Sequence, residues 1–150
     1  MIDIGFYQLA SRRAEDVVAQ LVTRALGAGY RIAIRAGDAA LLARVDAALW
    51  LPAASFVPHG LDSDLGSERA AGQPVLLTHA PLPAANGADC LMQLGDDLPD
   101  DLTGLRRALY LFDDAALETA RARWRRVAKT EGFQPVYWRE GEGGRFEKAA

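Results

Sequence analysis

The first fifty residues alternate between short apolar runs and longer amphipathic stretches, and this alternation restricts the fold more than any other feature of the chain. The run IDIGFYQL at 2–9 is apolar and aromatic, as is typical of a strand. From Ser11, apolar residues recur every three or four positions up to the GAG at 27–29, which indicates a helix. A second strand-like run at 30–35 and a second amphipathic stretch, capped by Asp38, follow. Strand, helix, strand and helix in succession predict a parallel sheet covered by helices.

The rest of the chain continues this pattern after a long interruption. The segment from 51 to 73 has no sustained period, and its part from Leu61 to Gln73 is polar, which predicts a flexible loop. Asp113 or Asp114 can cap a last helix that Gly132 would end. Further strands are predicted at 74–79, 90–94, 106–112 and 133–138, the last as an edge strand because it contains a proline.

These elements predict a single three-layer α/β/α domain over 1–138 with a mostly parallel sheet, followed by a mobile tail at 139–150. Half of the 150 residues are hydrophobic, which is enough for a substantial core. The chain lacks an apolar run long enough to span a membrane and a basic-then-apolar leader, so we expect a cytoplasmic protein. The single cysteine, Cys90, lies in an apolar run and is predicted to be a small buried side chain.

Charge and motif content argue against two common functions. The 17 Lys and Arg residues are outnumbered by 20 Asp and Glu, whereas a domain that grips nucleic acid needs a broad positive face. No glycine-rich phosphate loop follows any predicted strand, so a nucleotide-binding enzyme is not indicated.

Two acidic pairs leave one enzymatic alternative open. Asp96–Asp97 and Asp113–Asp114 each follow a predicted strand, and the carboxyl ends of parallel strands are where ligands bind in such sheets. Their carboxylates could hold Mg²⁺ in a small metal-dependent enzyme. The simpler interpretation, which we favour, is that they cap the helices that follow, because Asp is common at N-caps and suits the dipole of the first turn.

The predicted last helix carries a concentration of positive charge that the acidic chain lacks elsewhere. Five cations fall within 121–129, together with Trp124. Arg121, Arg125 and Lys129 are spaced by four residues and therefore share one ridge beside the tryptophan. The ridge is either a solvated helix face or a site where an acidic peptide meets an aromatic side chain.

Several stretches together resemble a known family. These are FYQL at 6–9, the ALW…SFVPH segment at 48–59, RARWRR at 121–126, GFQPVYW at 132–138 and the ending GRFEKAA. In this combination and order the chain resembles the chi subunit of bacterial DNA polymerase III, an accessory protein of the clamp-loader complex.

The resemblance implies a Rossmann-like α/β/α fold and a non-enzymatic adaptor without cofactor or metal. It implies two protein partners, the psi subunit and the acidic, Pro-Phe-ending C-terminal tail of single-stranded DNA-binding protein, with DNA reached only indirectly. Carried over to this sequence, the tail-binding residues are Arg121, Trp124, Arg125 and Lys129, and the choice between Arg126 and Lys129 stays open. The psi-binding residues are Trp50, Phe56 and Pro58.

Overall fold

The computed structural model describes residues 1–51 and 57–150 and contains one mixed sheet with helices on both faces. The strands are β1 (Ile2–Gln8), β2 (Ile32–Arg35), β3 (Gly60–Leu61), β4 (Val75–Thr78), β5 (Cys90–Leu94), β6 (Arg107–Phe112), β7 (Phe133–Glu140) and β8 (Phe146–Lys148). The α-helices are α1 (Ala14–Gly27), α2 (Ala39–Trp50), α3 (Ser67–Ala71) and α4 (Leu117–Ala128).

The sheet order is β3-β4-β2-β5-β6-β1-β7-β8, and every neighbouring pair is parallel except β7 and β8. This is the predicted α/β domain with a mostly parallel sheet. The central strands are buried on both faces, which explains why β4 and β5 are mostly apolar and do not alternate between apolar and polar residues.

Two cores lie on opposite faces of the sheet. One core packs α1 and α2 against the sheet through side chains such as Val18, Val45 and Ile34, and Cys90 belongs to it, fully buried as predicted. The other packs α4 through Ala120 and Val127 against aromatic residues that include Phe6 and Tyr110. The predicted three-layer arrangement is therefore present.

Local sequence explains where the helices begin. Asp38 accepts a hydrogen bond from the amide of Ala40 (2.9 Å), so it caps α2 as predicted. Asp113 accepts from the amide of Ala115 (3.0 Å) and begins a 3₁₀ turn at Asp114–Ala116 that leads into α4. The segment predicted as a flexible loop after Leu61 instead contains a 3₁₀ turn and α3, since such short elements show no period in the sequence.

The end of the chain differs from the sequence prediction. The sequence predicts β7 as an edge strand, but it lies between β1 and β8. Pro135, which has no N–H to donate, pairs with β1 and falls outside the part of β7 that pairs with β8. In the segment 139–150, where the sequence predicts a mobile tail, β7 continues to Glu140 and the chain returns as β8. The reversal is possible because Gly143 and Gly144 adopt φ values of 73° and 76°.

One carboxylate joins this hairpin to the start of α1. Glu140 is only 7% exposed and accepts hydrogen bonds from three successive amides, those of Ala10, Ser11 and Arg12, at 2.8–3.2 Å, and from the Ser11 hydroxyl at 2.9 Å. Burial raises the pKa of Glu140, but these hydrogen bonds outweigh burial and bring the pKa down to about 2.

Over the parts of the chain that the structure describes, no helix has the length and apolar character needed to cross a bilayer.

Candidate functional site

The basic helix predicted near the end of the sequence is α4, and its faces are clearly divided. Ala120 and Val127 are buried against the sheet, whereas Arg121 and Arg125 are exposed. Trp124 lies between these faces and is half-buried. The structure therefore places the predicted aromatic residue next to the predicted cations, at the boundary between core and solvent.

Trp124 is held by two aromatic contacts from the sheet. Its ring packs edge-on against Phe6 of β1, with centroids 5.2 Å apart and an interplanar angle of 87°. It makes the same kind of contact with Tyr137 of β7 at 5.5 Å and 88°. Perpendicular ring pairs of this kind fix the orientation of the indole, so its exposed part is a preformed surface.

A cavity of about 170 Å³ opens beside this tryptophan. Its polar and aromatic walls come from α4 and β7, and the end of the chain closes one side. The lining residues are Arg121, Trp124, Tyr137, Arg139, Ala149 and Ala150. Two cations from different elements thus face an aromatic floor, an arrangement suited to an anionic group attached to an apolar one.

Both arginines of the cavity act electrostatically on Tyr137. Burial raises the pKa of the Tyr137 hydroxyl, and the positive charges of Arg139 and Arg121 oppose that rise. The Arg139 guanidinium carbon is 6.0 Å from the centroid of the Tyr137 ring, at the outer limit of a cation–π contact. The phenol itself is oriented by a 2.6 Å hydrogen bond to Gln8 Oε1.

The other two predicted cations lie outside the cavity. Arg125 is exposed one helical turn after Arg121, and Lys129 is the C-cap residue of α4, also exposed. Within the described parts of the chain neither has an ion pair. Both positive charges therefore lie open to solvent on the same side of α4 as the cavity.

Two further cations of the predicted basic patch have a different role. Arg123, only 9% exposed, donates to both carboxylate oxygens of Asp97 (3.0 and 2.8 Å) and to Asp100 (2.6 Å). Arg126 donates to the same oxygen of Asp100 at 2.9 Å. The hydrogen bonds that Arg123 donates to Asp97 raise the pKa of Arg123. These two arginines attach α4 to the loop after β5 and are not available on the ridge of Arg121 and Arg125.

Sequence reasoning missed Tyr137 and Arg139 as parts of this cavity. A usable signal was present, because residues two apart on a strand share one face. Once FQPVYW is read as a strand that continues, Tyr137 and Arg139 fall on the face that α4 covers. The prediction of a tail starting at 139 removed Arg139 from consideration.

A second surface of interest is apolar and lies at the end of α2. Trp50 is 55% exposed and the adjacent Leu51 is 62% exposed, and Pro58 is exposed as well. The Trp50 ring packs over His59, with centroids 4.5 Å apart. Phe56, the remaining predicted psi-binding residue, lies outside the described residues.

His59 fixes the chain beneath this surface. The residue is buried, and its Nδ1 lies 2.6 Å from the carbonyl oxygen of Val57. Its Nε2 is 3.0 Å from Asp46 Oδ1 of α2, although the angle is not that of a hydrogen bond. The contacts join the segment 57–59 to α2 and keep Trp50 and Pro58 near each other.

Three of the four aspartates considered for a metal have other partners. Asp97 is held by Arg123, Asp113 caps the turn before α4, and Asp96 accepts from the amide of Gly37 at 3.2 Å. Among the residues that the structure describes, no group of three or more His, Cys, Asp or Glu side chains is placed to hold a metal ion.

Comparison with known proteins gives one family. The family model described as DNA polymerase III chi subunit, HolC, matches residues 1–135. No curated protein was found to match the sequence. The family match covers β1 to β6 and all of α4, and it ends within β7, so most of that strand and β8 lie outside it.

Proposed function

This chain belongs to the DNA polymerase III chi subunit family, an accessory subunit of the replication machinery, and we propose that it acts there as a non-catalytic adaptor between two proteins. One partner is the psi subunit, and the other is the acidic C-terminal tail of single-stranded DNA-binding protein. The observation that carries the proposal is the cavity in which Arg121 and Arg139 flank the rings of Trp124 and Tyr137.

The chemistry of this cavity suits the end of the tail. An aromatic side chain followed by a free carboxylate needs an apolar floor and a cation side by side. Trp124 and Tyr137 supply the floor, and a guanidinium can hold a carboxylate through two parallel hydrogen bonds. Aspartates that precede the terminal residue would then pass Arg125 and Lys129, so the proposed tail site comprises Arg121, Trp124, Arg125, Lys129, Tyr137 and Arg139.

The tail site is tested by calorimetric titration with an aspartate-containing peptide that ends in Pro-Phe. Arg121→Ala should weaken binding at least tenfold, about 1.4 kcal/mol, because a cavity-lining cation is lost. Arg125→Ala should weaken it less and mainly at low salt, since an exposed charge is screened by salt. Arg126→Ala is the matched control on the same helix, because Arg126 is paired with Asp100.

Two results would contradict the tail site. Equal and small effects of Arg121→Ala and Arg126→Ala would mean that the ridge is only a solvated helix face. Unchanged affinity for a peptide whose terminal carboxylate is amidated would mean that the arginines do not receive that group.

The surface around Trp50, Leu51 and Pro58 supports the psi contact. Large apolar side chains on a monomer surface favour a protein interface, and aromatic residues contribute most of the binding energy in such interfaces. Phe56 belongs to the same stretch of sequence and is retained in the proposed psi site.

This contact is tested with purified psi subunit. Trp50→Ala should reduce the affinity by more than about 2 kcal/mol. Trp50→Phe keeps an aromatic ring over His59 and serves as the conservative control, so its affinity should stay closer to that of the parent. If the melting temperature of Trp50→Ala falls steeply while folded protein still binds psi normally, the residue stabilises the fold and is not in the interface.

A further inference from the structure

A larger cavity lies on the other face of the sheet, away from α4 and from Trp50. It has a volume of about 380 Å³, within the range of ligand sites, and lies between α1 and the hairpin formed by β7 and β8. Its walls carry the arginines Arg12, Arg24 and Arg145 and the aromatic side chains of Tyr7, Trp138 and Phe146. None of the described residues that line it is acidic, although the chain carries a net charge of -3.

The three arginines of this cavity are not equivalent. Arg12 is fixed in place, because it donates to the carbonyl oxygen of Gly144 (3.1 Å) and to Gln20 Oε1 (2.8 Å). Arg24 and Arg145 are exposed and have no ion pair with any described carboxylate. The guanidiniums of Arg24 and Arg145 are therefore available to an anion. The Arg12 guanidinium holds the same wall in place, because it links the hairpin to α1.

The aromatic side chains form a fixed surface at the level of these cations. The buried ring of Tyr7 packs behind both others, stacked with Trp138 at 6.4 Å and perpendicular to Phe146 at 5.3 Å. Trp138 and Phe146 are each half-buried, so part of each ring stays accessible from the cavity. A planar ligand group can stack there without displacing core residues.

The cavity continues along the sheet. A neighbouring depression of about 310 Å³ shares Tyr7 and Trp138 with it and ends at Arg107. Asp3 also lines this depression and lies in register with Arg107, and the Arg107 side chain lies close to the Tyr7 hydroxyl, where it opposes the rise that burial causes in the pKa of Tyr7. The two cavities therefore form one groove in which Arg107 lies beside the aromatic surface.

We propose that this groove, lined by Arg12, Arg24, Arg145, Arg107, Trp138 and Phe146, binds single-stranded nucleic acid through phosphate contacts and base stacking. Each nucleotide offers a flat ring and a negative charge in regular repeat, which matches alternating arginines and aromatic rings. The Arg12 guanidinium carbon lies over the Phe146 ring, 5.8 Å from its centroid. An acidic peptide would match the other arginines but would leave the half-exposed ring of Trp138 without a stacking partner on the cavity side. The inference does not depend on the tail site, because the two cavities lie on opposite faces of the sheet.

Binding is expected to be weak, since few cations take part and the protein is acidic overall. The measurement is fluorescence anisotropy with a labelled oligothymidylate of about ten nucleotides, a length within the usual site sizes for single strands. A dissociation constant near 10⁻⁴ M at low salt is expected, with a logarithmic salt slope of about -2 for three phosphate contacts.

The variant Arg24→Glu/Arg145→Glu should bind the oligonucleotide at least tenfold more weakly and lower the salt slope by about 1.4. Its affinity for the acidic tail peptide should be unchanged, which separates this inference from the proposed function. Arg69→Glu is the control, because Arg69 is an exposed helical arginine on α3 far from either cavity, and it should change oligonucleotide binding less than twofold.

Three results would overturn the proposal. The Arg24→Glu/Arg145→Glu variant could bind the oligonucleotide with the same affinity as Arg69→Glu. Oligonucleotide could fail to shift the indole NMR signal of Trp138 while shifting that of Trp124, which would place binding on α4. Thymidine monophosphate could bind as tightly as the oligonucleotide, which would make the groove a site for free nucleotides and not for a strand.

Discussion

Glu140 offers a direct test of how the hairpin is attached to the rest of the domain. Glu140→Gln keeps the size of the side chain but replaces one acceptor oxygen with an amide nitrogen, which cannot accept from the Ser11 amide or hydroxyl. A hydrogen bond to a charged group contributes about 1.5–3 kcal/mol, and a buried donor without a partner costs about 1–3 kcal/mol. We therefore expect the substitution to lower the free energy of unfolding by about 2 kcal/mol near neutral pH.

The pH dependence provides the sharper measurement. The pKa of Glu140 is lowered from 4.5 to about 2 in the folded protein, so its contribution is fully present above the unfolded value and is lost as the pH falls from 4.5 towards 2. Such a shift corresponds to at most about 3.4 kcal/mol, and solvent screening reduces that figure. Urea denaturation of both proteins at a series of pH values should show a stability difference at neutral pH that shrinks below pH 4.5.

A stability difference that stays constant from neutral pH down to about pH 2 would refute this reasoning, because it would show that packing and not the charge of Glu140 holds the segment 10–12.

Ser11→Ala is the companion variant. It removes only the hydroxyl donor and should cost about 1 kcal/mol, with the amide contacts intact.

Two further predictions concern the ion pairs of α4 and the buried thiol. Arg123→Ala leaves Asp97 and Asp100 without their main partner and should lower the free energy of unfolding by about 2–3 kcal/mol, whereas Arg126→Ala should cost less than about 1 kcal/mol, both measured by urea denaturation. Burial raises the pKa of Cys90 to about 12, so alkylation by iodoacetamide near neutral pH should be negligible in native protein and complete in denaturant. Rapid alkylation of the native protein would mean that the central strands open readily.

The spacing of apolar residues was sufficient to predict the N-terminal elements of the fold and the buried central strands. The order of strands and helices up to α2, the cap at Asp38 and the buried Cys90 all follow from local patterns of apolar residues and turn formers. These features depend on neighbours a few residues apart, and such neighbours are visible in a sequence.

The missed features depend on residues that are distant in the sequence. A helical pattern assigns a cation such as Arg123 to the solvent side, because its burial requires Asp97 and Asp100 in a loop more than twenty residues earlier. The hairpin that ends in β8 is short and its turn is rich in glycine, so it shows no period of its own. Its attachment depends on Glu140 meeting the amides of residues 10–12 across almost the whole length of the chain.

The position of β1 in the sheet also determines the order in which the domain can be completed during synthesis. Phe6 of β1 lies opposite Tyr110 of β6 and Tyr137 of β7, so both neighbours of β1 are translated more than one hundred residues after it. At about 5–20 residues per second, β1 remains without either partner for roughly 5–20 seconds while α1, α2 and β2 to β5 emerge. Throughout that interval β1 exposes apolar side chains and unpaired backbone groups, and the free edge of β5 does so from its own synthesis until β6 follows. A ribosome that stalls before β6 therefore presents a segment that chaperones bind, and the yield of folded protein should depend on translation speed between β5 and β7.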